Sequence, residues 1–249
     1  MEFDSEDRRD ELARLLAEVC NNHDYHLLQH RAYSDHLRCL LSLKPHQAIS
    51  RVINTLKSNI SREFCAEFDL TPPLWATGYL ARSVGRARIQ AVKQYLANQA
   101  EHHGYAKRAI PPVFRYRTGK PEIISAEHNV FDLTHHIVLA TRYRRSVFSS
   151  GLGKELIDYW LRVARKRGFA IDQATVLPDH AHLLARIAPR MSVEECALSL
   201  INNSQHWMSR HHAQAIVREG IDHLWQTSAY AGTCGKVTTA QVKAFLVRP

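Results

Sequence analysis

The sequence is short of the residues that would make it a secreted, zinc-stapled or membrane-spanning protein. Only five cysteines occur in 249 residues. Cys20, Cys39, Cys65, Cys196 and Cys234 are scattered, odd in number and free of any CxxC spacing. That argues against a disulfide framework or a structural zinc site, and for a reducing cytosol. Glycine (10) and proline (9) are sparse, so few breakers interrupt the helical and strand patterns. No apolar run approaches membrane-spanning length, and the opening MEFDSEDRRDE is charged where a secretory leader would be apolar. A soluble cytoplasmic protein is expected. Acid is also in deficit: Asp plus Glu number 24 against 33 Lys plus Arg, a surplus of 9 positive charges. Such a balance suits a polyanionic partner, nucleic acid first and an anionic membrane second. A basic surface kept for solubility explains the charge equally well.

What the chain does contain, it contains twice. LWATGYLARSVG ending at Gly85 and VKQYLANQ ending at Gln99 are matched by LWQTSAYAGTCG ending at Gly235 and VKAFLVRP ending at Pro249. Trp75 precedes Gly85 by ten residues, as Trp225 precedes Gly235. Upstream, Asp35-His36-Leu37-Arg38 parallels Asp179-His180-Ala181-His182. One copy keeps Asp-His-x-His but carries Phe245; the other keeps Tyr95 but carries Arg38. Self-similarity of this kind decides the architecture.

Each copy reads as the same order of elements. In the first, 7–21 and 46–66 are amphipathic helices by apolar spacing, with strands 23–31 and 35–45 between them around a turn at 32–35. A short strand near Leu80 and a helix from about 87 to 102 follow, with Tyr95 and Gln99 side by side at i and i+4. The second copy repeats this as helix 153–168, strands 170–178 and 180–189, helix 192–212, the Trp225 strand and a last helix. It adds a strand at 133–148 that the first copy lacks. The expected domains are 1–105, a proline-bearing connection at 106–125, and 126–249. The class is α+β with antiparallel sheets.

Two residues apart on a strand, His180 and His182 project from the same face and can share a divalent ion. In a chain with 16 histidines, that pair alone is as readily incidental as functional. Tyr95 on an amphipathic helix reads by itself as packing. Trp75 and Trp225 read as core, and the run Arg162, Arg165, Lys166 and Arg167 as a solvated face. The combination is more specific. Arg142-Tyr143-Arg144-Arg145 after a strand, Pro-Asp-His-x-His at 178–182 and Val-Lys-Gln-Tyr-x-x-x-Gln at 92–99 together resemble the single-tyrosine HUH transposases of single-stranded-DNA insertion sequences (the TnpA type).

The resemblance spans nearly the whole chain and implies two ferredoxin-like (RRM-like) HUH domains with helices on one face of each sheet. In that family the tyrosine helix can lie against the partner's histidines. Without exchange, His36, Arg38, Tyr95 and Gln99 form one defective site, and His180, His182, Phe245 and Pro249 another. With exchange, one complete site holds Tyr95 as nucleophile with His180, His182 and Gln99 as ligands of Mg²⁺ or Mn²⁺. The other is a degenerate pseudo-site of His36, Arg38, Phe245 and Pro249. The losses sort into one site, so the chain reads as a fused pseudo-dimer, monomeric or further paired as a homodimer.

The implied activity is metal-dependent cleavage and transfer of single-stranded DNA at hairpin-flanked ends through a 5′-phosphotyrosine, close to the nucleoid. The alternative is a domesticated descendant that binds structured single-stranded DNA without cutting. Arg142, Arg144 and Arg145 are expected to contact DNA. Arg38, a permanent cation where metal belongs, is expected to hold a phosphate at the pseudo-site. Asp179 is expected to orient a histidine rather than bind metal.

Overall fold

A computed structural model describes residues 3–86, 88–97, 113–119, 124 and 129–247. In chain order the helices are α1 (Glu6–Asn22), α2 (Ile49–Glu67), α3 (Ile89–Ala97), α4 (Ser150–Arg167), α5 (Val193–His211), α6 (Ala213–Arg218) and α7 (Thr239–Val247). The strands are β1 (His26–Ala32), β2 (Leu37–Ser42), β3 (Tyr79–Arg82), β4 (Phe114–Arg117), β5 (Asn129–Asp132), β6 (Thr134–Thr141), β7 (Phe169–Leu177), β8 (His180–Ile187) and β9 (Trp225–Cys234).

Local chemistry sets the helix ends. Ser5 caps α1 by accepting from the Arg8 amide, and Glu6 and Asp7 complement the positive end of the helix dipole. Ser192 and Glu195 form a reciprocal capping box on α5, at 3.1 and 2.7 Å. Gly168, at φ 81°, ends α4 in the left-handed region, just after Arg165, Lys166 and Arg167.

The second copy is built on a five-stranded antiparallel sheet of order β4-β7-β8-β6-β9. Residues directly opposite in such a ladder share a face. One face carries Ile137, Leu139, Val176, Ala181 and Leu183 and packs on Leu156, Ile157, Trp160 and Leu200 of α4 and α5. Burial of these large side chains, each contributing roughly 1.5–3 kcal/mol, makes this the principal core. Trp225 is buried there, its indole donating to Ser204 at 2.9 Å.

The first copy forms a separate core. Leu12, Leu15, Leu16 and Val19 of α1 and Val52, Leu56, Ile60 and Phe64 of α2 close over Leu27, Leu37 and Leu41 of the β1-β2 hairpin. Trp75 lies against this core and donates to the Lys57 carbonyl at 3.1 Å.

Three expectations change. The segment 106–125 is not purely a connection, because β4 within it forms the outer strand beside β7. Phe114 and Tyr116 turn inward while Arg115 and Arg117 face out. This period-two alternation is short enough to be hidden by the neighbouring prolines. Helices do not sit on one face only: α3 lies across the sheet face opposite α4 and α5, because Val92 and Leu96 have Leu184 and Cys234 to bury against. The sheets are not wholly antiparallel either, since β3 runs parallel to β5, with Leu80 beside Val130.

The two copies meet at a crossover of 83–89 with 233–239. Ser83 donates its hydroxyl to the Cys234 carbonyl, and Thr233 donates to the Val84 carbonyl. The Ile89 amide donates to Gly235 O at 2.9 Å, and the Thr239 amide to Gly85 O at 3.1 Å. Gly85 bridges Thr238 while Arg88 bridges Gly235. Every contact thus has a counterpart with the copies interchanged. Beyond the crossover, α3 goes to the second copy's sheet and α7 to β1 of the first. Among the described residues no helix is long and apolar enough to cross a membrane.

Candidate active site

Strands β7 and β8 are joined by a tight turn at Pro178 and Asp179, so His180 opens β8 directly. The turn is stitched down by Thr141 N to Asp179 O at 2.9 Å and Phe148 N to Pro178 O at 2.9 Å. His180 and His182 then project from one face, opposite Leu177 and Thr175 of β7 and opposite Ala140 and Val138 of β6. Both rings are buried, with centroids 4.9 Å apart.

Each imidazole has its Nδ1 engaged. His180 Nδ1 lies 2.6 Å from Asp179 Oδ1, whose other oxygen takes the Arg144 Nε at 2.8 Å. Burial alone would raise the Asp179 carboxyl, but the His180 hydrogen bond and the nearby His180 and Arg144 charges outweigh it and hold the pKa below normal. His182 Nδ1 lies 3.1 Å from His136 Nε2, the two rings stacked at 5.3 Å. Burial pushes the His136 pKa down, favouring its neutral form. With Nδ1 engaged on both, the buried Nε2 atoms are the ones that could face an ion.

The tyrosine comes from the other copy. Helix α3 is held on this face by Thr175 Oγ1 donating to Leu96 O at 2.8 Å and Gln173 Nε2 donating to Lys93 O at 3.2 Å. Both bonds run from β7 side chains to backbone carbonyls of α3. The Tyr95 ring stands edge-on, 5.7 Å from His182 and 6.1 Å from His136. A phenol and two imidazoles from different copies are therefore adjacent. Gln99 and Pro249 lie outside the described residues, and Phe245 falls within α7. Among the described residues, no three His, Cys, Asp or Glu side chains are grouped to hold a metal ion.

The comparison with known families decides what this assembly belongs to. The model described as "Transposase IS200 like" matches residues 3–99 and again 129–248. The chain belongs to the IS200-like transposase family. Members of this HUH tyrosine transposase family are DNA nicking and joining enzymes, and the repeated match fits a tandem arrangement. The chain is 25% identical over 117 residues to the ISDra2 transposase TnpA of Deinococcus radiodurans, covering 47% of this chain and 84% of that relative. It is 25% identical over 122 residues to the transposase for insertion sequence element IS200 of Salmonella typhimurium, covering 49% of this chain and 80% of that relative. The crystal structure of a candidate transposase from D. radiodurans aligns with TM-score 0.41 and 24% identity, over 50% of this chain and 95% of that one.

Around this candidate site, two of the arginines after β6 are engaged in ion pairs. Arg144 is drawn onto Asp179 and Arg142 onto Asp222 at 2.9 Å, while Arg145 is exposed. Arg144 thus braces the turn that carries Asp179, and Arg142 ties the end of β6 to the segment ahead of β9. Tyr143 and Arg144 both adopt left-handed backbone, at φ 53° and 57°. Such strain in consecutive non-glycine residues persists only where surroundings enforce it, here the ion pairs and the Thr141 bonds to Asp179 and Arg145 carbonyls.

Sequence reading missed His136, Gln173 and Thr175. The signal for His136 was in view, since it lies on the strand at 133–148. Its relation to His182 depends on the β6-β8 register, which spacing within one strand does not reveal.

Proposed function

We propose that the chain cuts and rejoins single-stranded DNA through one composite active site, with Tyr95 from the first copy and His180 and His182 from the second. The observation that carries this reading is the seat of α3 on the β7-β8-β6 face, with the Tyr95 ring 5.7 Å from His182. The reciprocal crossover supports a fused dimer, because contacts of the form i to j and j to i are those of a twofold interface.

The donor set suits a divalent ion. Asp179 on His180 Nδ1 is the carboxylate–histidine pairing that orients metal-bound imidazoles. His180 and His182, with Gln99 as third ligand, would hold Mg²⁺ or Mn²⁺. When bound, the ion supplies positive charge against the phosphate oxygens as negative charge develops there. The protein's own part is to aim the nucleophile. Tyr95 Oη gives up its proton to water, forms a bond to the scissile phosphorus, and the P–O3′ bond breaks. The departing oxygen takes a proton to become a 3′-hydroxyl, and the 5′ side stays on tyrosine as a phosphodiester. The reverse attack by a 3′-hydroxyl rejoins DNA without ATP. A neutral phenol is a weak nucleophile and requires this help.

The substrate in this reading is single-stranded DNA near a hairpin. A denaturing gel with labelled hairpin oligonucleotide and Mn²⁺ tests it. A shifted covalent band is expected from the parent protein and from neither Tyr95→Phe nor His182→Ala. Tight binding with no band across a panel of hairpins and metals would instead support the non-cutting alternative.

A further inference from the structure

The first copy's hairpin carries a cluster that the composite site does not use. Arg31 and Arg38 are direct partners across β1 and β2. Like charges in that relation repel, yet both guanidinium carbons lie 5.2 Å from the centre of the Tyr33 ring. His36 stacks on the same ring at 4.4 Å and 8°. The turn is closed by the Tyr33 amide donating to His36 O at 2.8 Å. One aromatic ring therefore gathers three nitrogen-rich groups at the end of a two-stranded sheet, with the Asp35 carboxylate beside them on His36.

The register shows where this cluster sits. In the second copy the pair opposite each other is Thr175 and His182; in the first, the corresponding pair is Arg31 and Arg38. The neighbouring bond is retained, since His36 Nδ1 lies 2.6 Å from Asp35 as His180 Nδ1 lies 2.6 Å from Asp179. Helix α7 lies against β1 in this copy, as α3 lies against β7 in the other. The residue that corresponds to Tyr95 is Phe245, which has no hydroxyl with which to attack. The frame is thus the same in both copies. Two fixed cations stand where the other copy places a histidine and a threonine.

Resting on the fused-dimer reading above, we propose that this cluster is a second DNA site that binds a backbone phosphate without cutting. Arg31 and Arg38 grip the phosphate, each offering a donor fork that suits its oxygens. Tyr33 holds both guanidiniums in position through cation–π contact. One chain then anchors a strand at the first copy while the composite site acts on DNA at the second. Neither Arg31 nor Tyr33 stood out in the sequence, because their alignment with Arg38 is a property of the hairpin register.

The test is equilibrium binding of a labelled single-stranded hairpin oligonucleotide, by fluorescence anisotropy across a salt series. It uses full-length Tyr95→Phe protein, so that cutting plays no part. The double change Arg31→Ala with Arg38→Ala is expected to weaken binding about tenfold near 0.1 M salt. The slope of log K against log salt should become shallower by about 0.7 for each phosphate that is no longer neutralised. Arg31→Lys with Arg38→Lys should recover much of the slope, which a collapsed hairpin would not. Inorganic phosphate titrated alone separates the possible sources of the anion. If phosphate binds at this site but the double alanine variant keeps the parent affinity and slope for DNA, the proposal is overturned. It is overturned equally if the lysine variant behaves like the alanine one. Absence of a covalent adduct from the parent protein, with this binding intact, would instead remove the cleavage reading and leave the second site standing.

Discussion

At the residue scale, the site is a set of imidazoles whose roles are divided by their neighbours. His180 is oriented by a carboxylate and His182 by another imidazole, so in the proposed site the direction of both rings is set by the protein itself. His135, one residue from His136, faces the other way and illustrates the cost of a buried imidazole without such a partner. Burial pushes its pKa down from 6.5 to about 4. The unfolded chain takes a proton there below about pH 6.5, whereas the folded chain does not until about pH 4. Between those values the unfolded state binds more protons, so stability falls as pH falls, by roughly 3 kcal/mol across the window. Urea unfolding at pH 7 and pH 4.5 should show this loss in the parent and little of it in His135→Leu. Equal losses in both proteins would assign the pH dependence elsewhere.

At the element scale, the decisive feature is the crossover that sends α3 and α7 to opposite copies. Gly85 and Gly235 make it possible, because each passes directly over a backbone carbonyl of the other copy. A methyl group at Gly85 would overlap the Thr233 carbonyl, and one at Gly235 the Ser83 carbonyl. Gly85→Ala should therefore cost about 1–3 kcal/mol in chemical denaturation and reduce adduct yield, since α3 carries Tyr95. Gly151→Ala is the matched control. An added methyl there meets nothing within 4 Å, and alanine suits a helix better than glycine. A Gly85→Ala protein with parental stability and adduct yield would show that the crossover does not hold the helix in place.

At the scale of the whole molecule, the proposal makes one chain the equivalent of a dimer with a single cutting centre. Nucleophile and histidines then belong to the same polypeptide, and no second chain is required. Mixing Tyr95→Phe protein with His182→Ala protein tests this directly. No covalent adduct is expected from the mixture, because neither chain contains both halves of the site. An adduct in the mixture, rising with protein concentration, would mean that α3 is exchanged between chains instead.

Much of this was legible before any fold was known. The duplication, the order of helices and strands, the His180–His182 pair and the relation of Asp179 to His180 all follow from short-range spacing. Strand period two and helix period 3.6 are local properties of the backbone. The proposed pairing of the tyrosine with the far histidines came from resemblance to a family and the sorting of losses between copies. Tertiary structure alone decided the rest. That His136 meets His182, that Arg31 opposes Arg38 and that β4 closes the second sheet are matters of strand register. Register is set by which faces can be buried together across long stretches of chain. The same holds for Arg144, which the sequence presents as one more basic side chain. Only the turn at Pro178 and Asp179, folded back on the end of β6, gives it a carboxylate to hold.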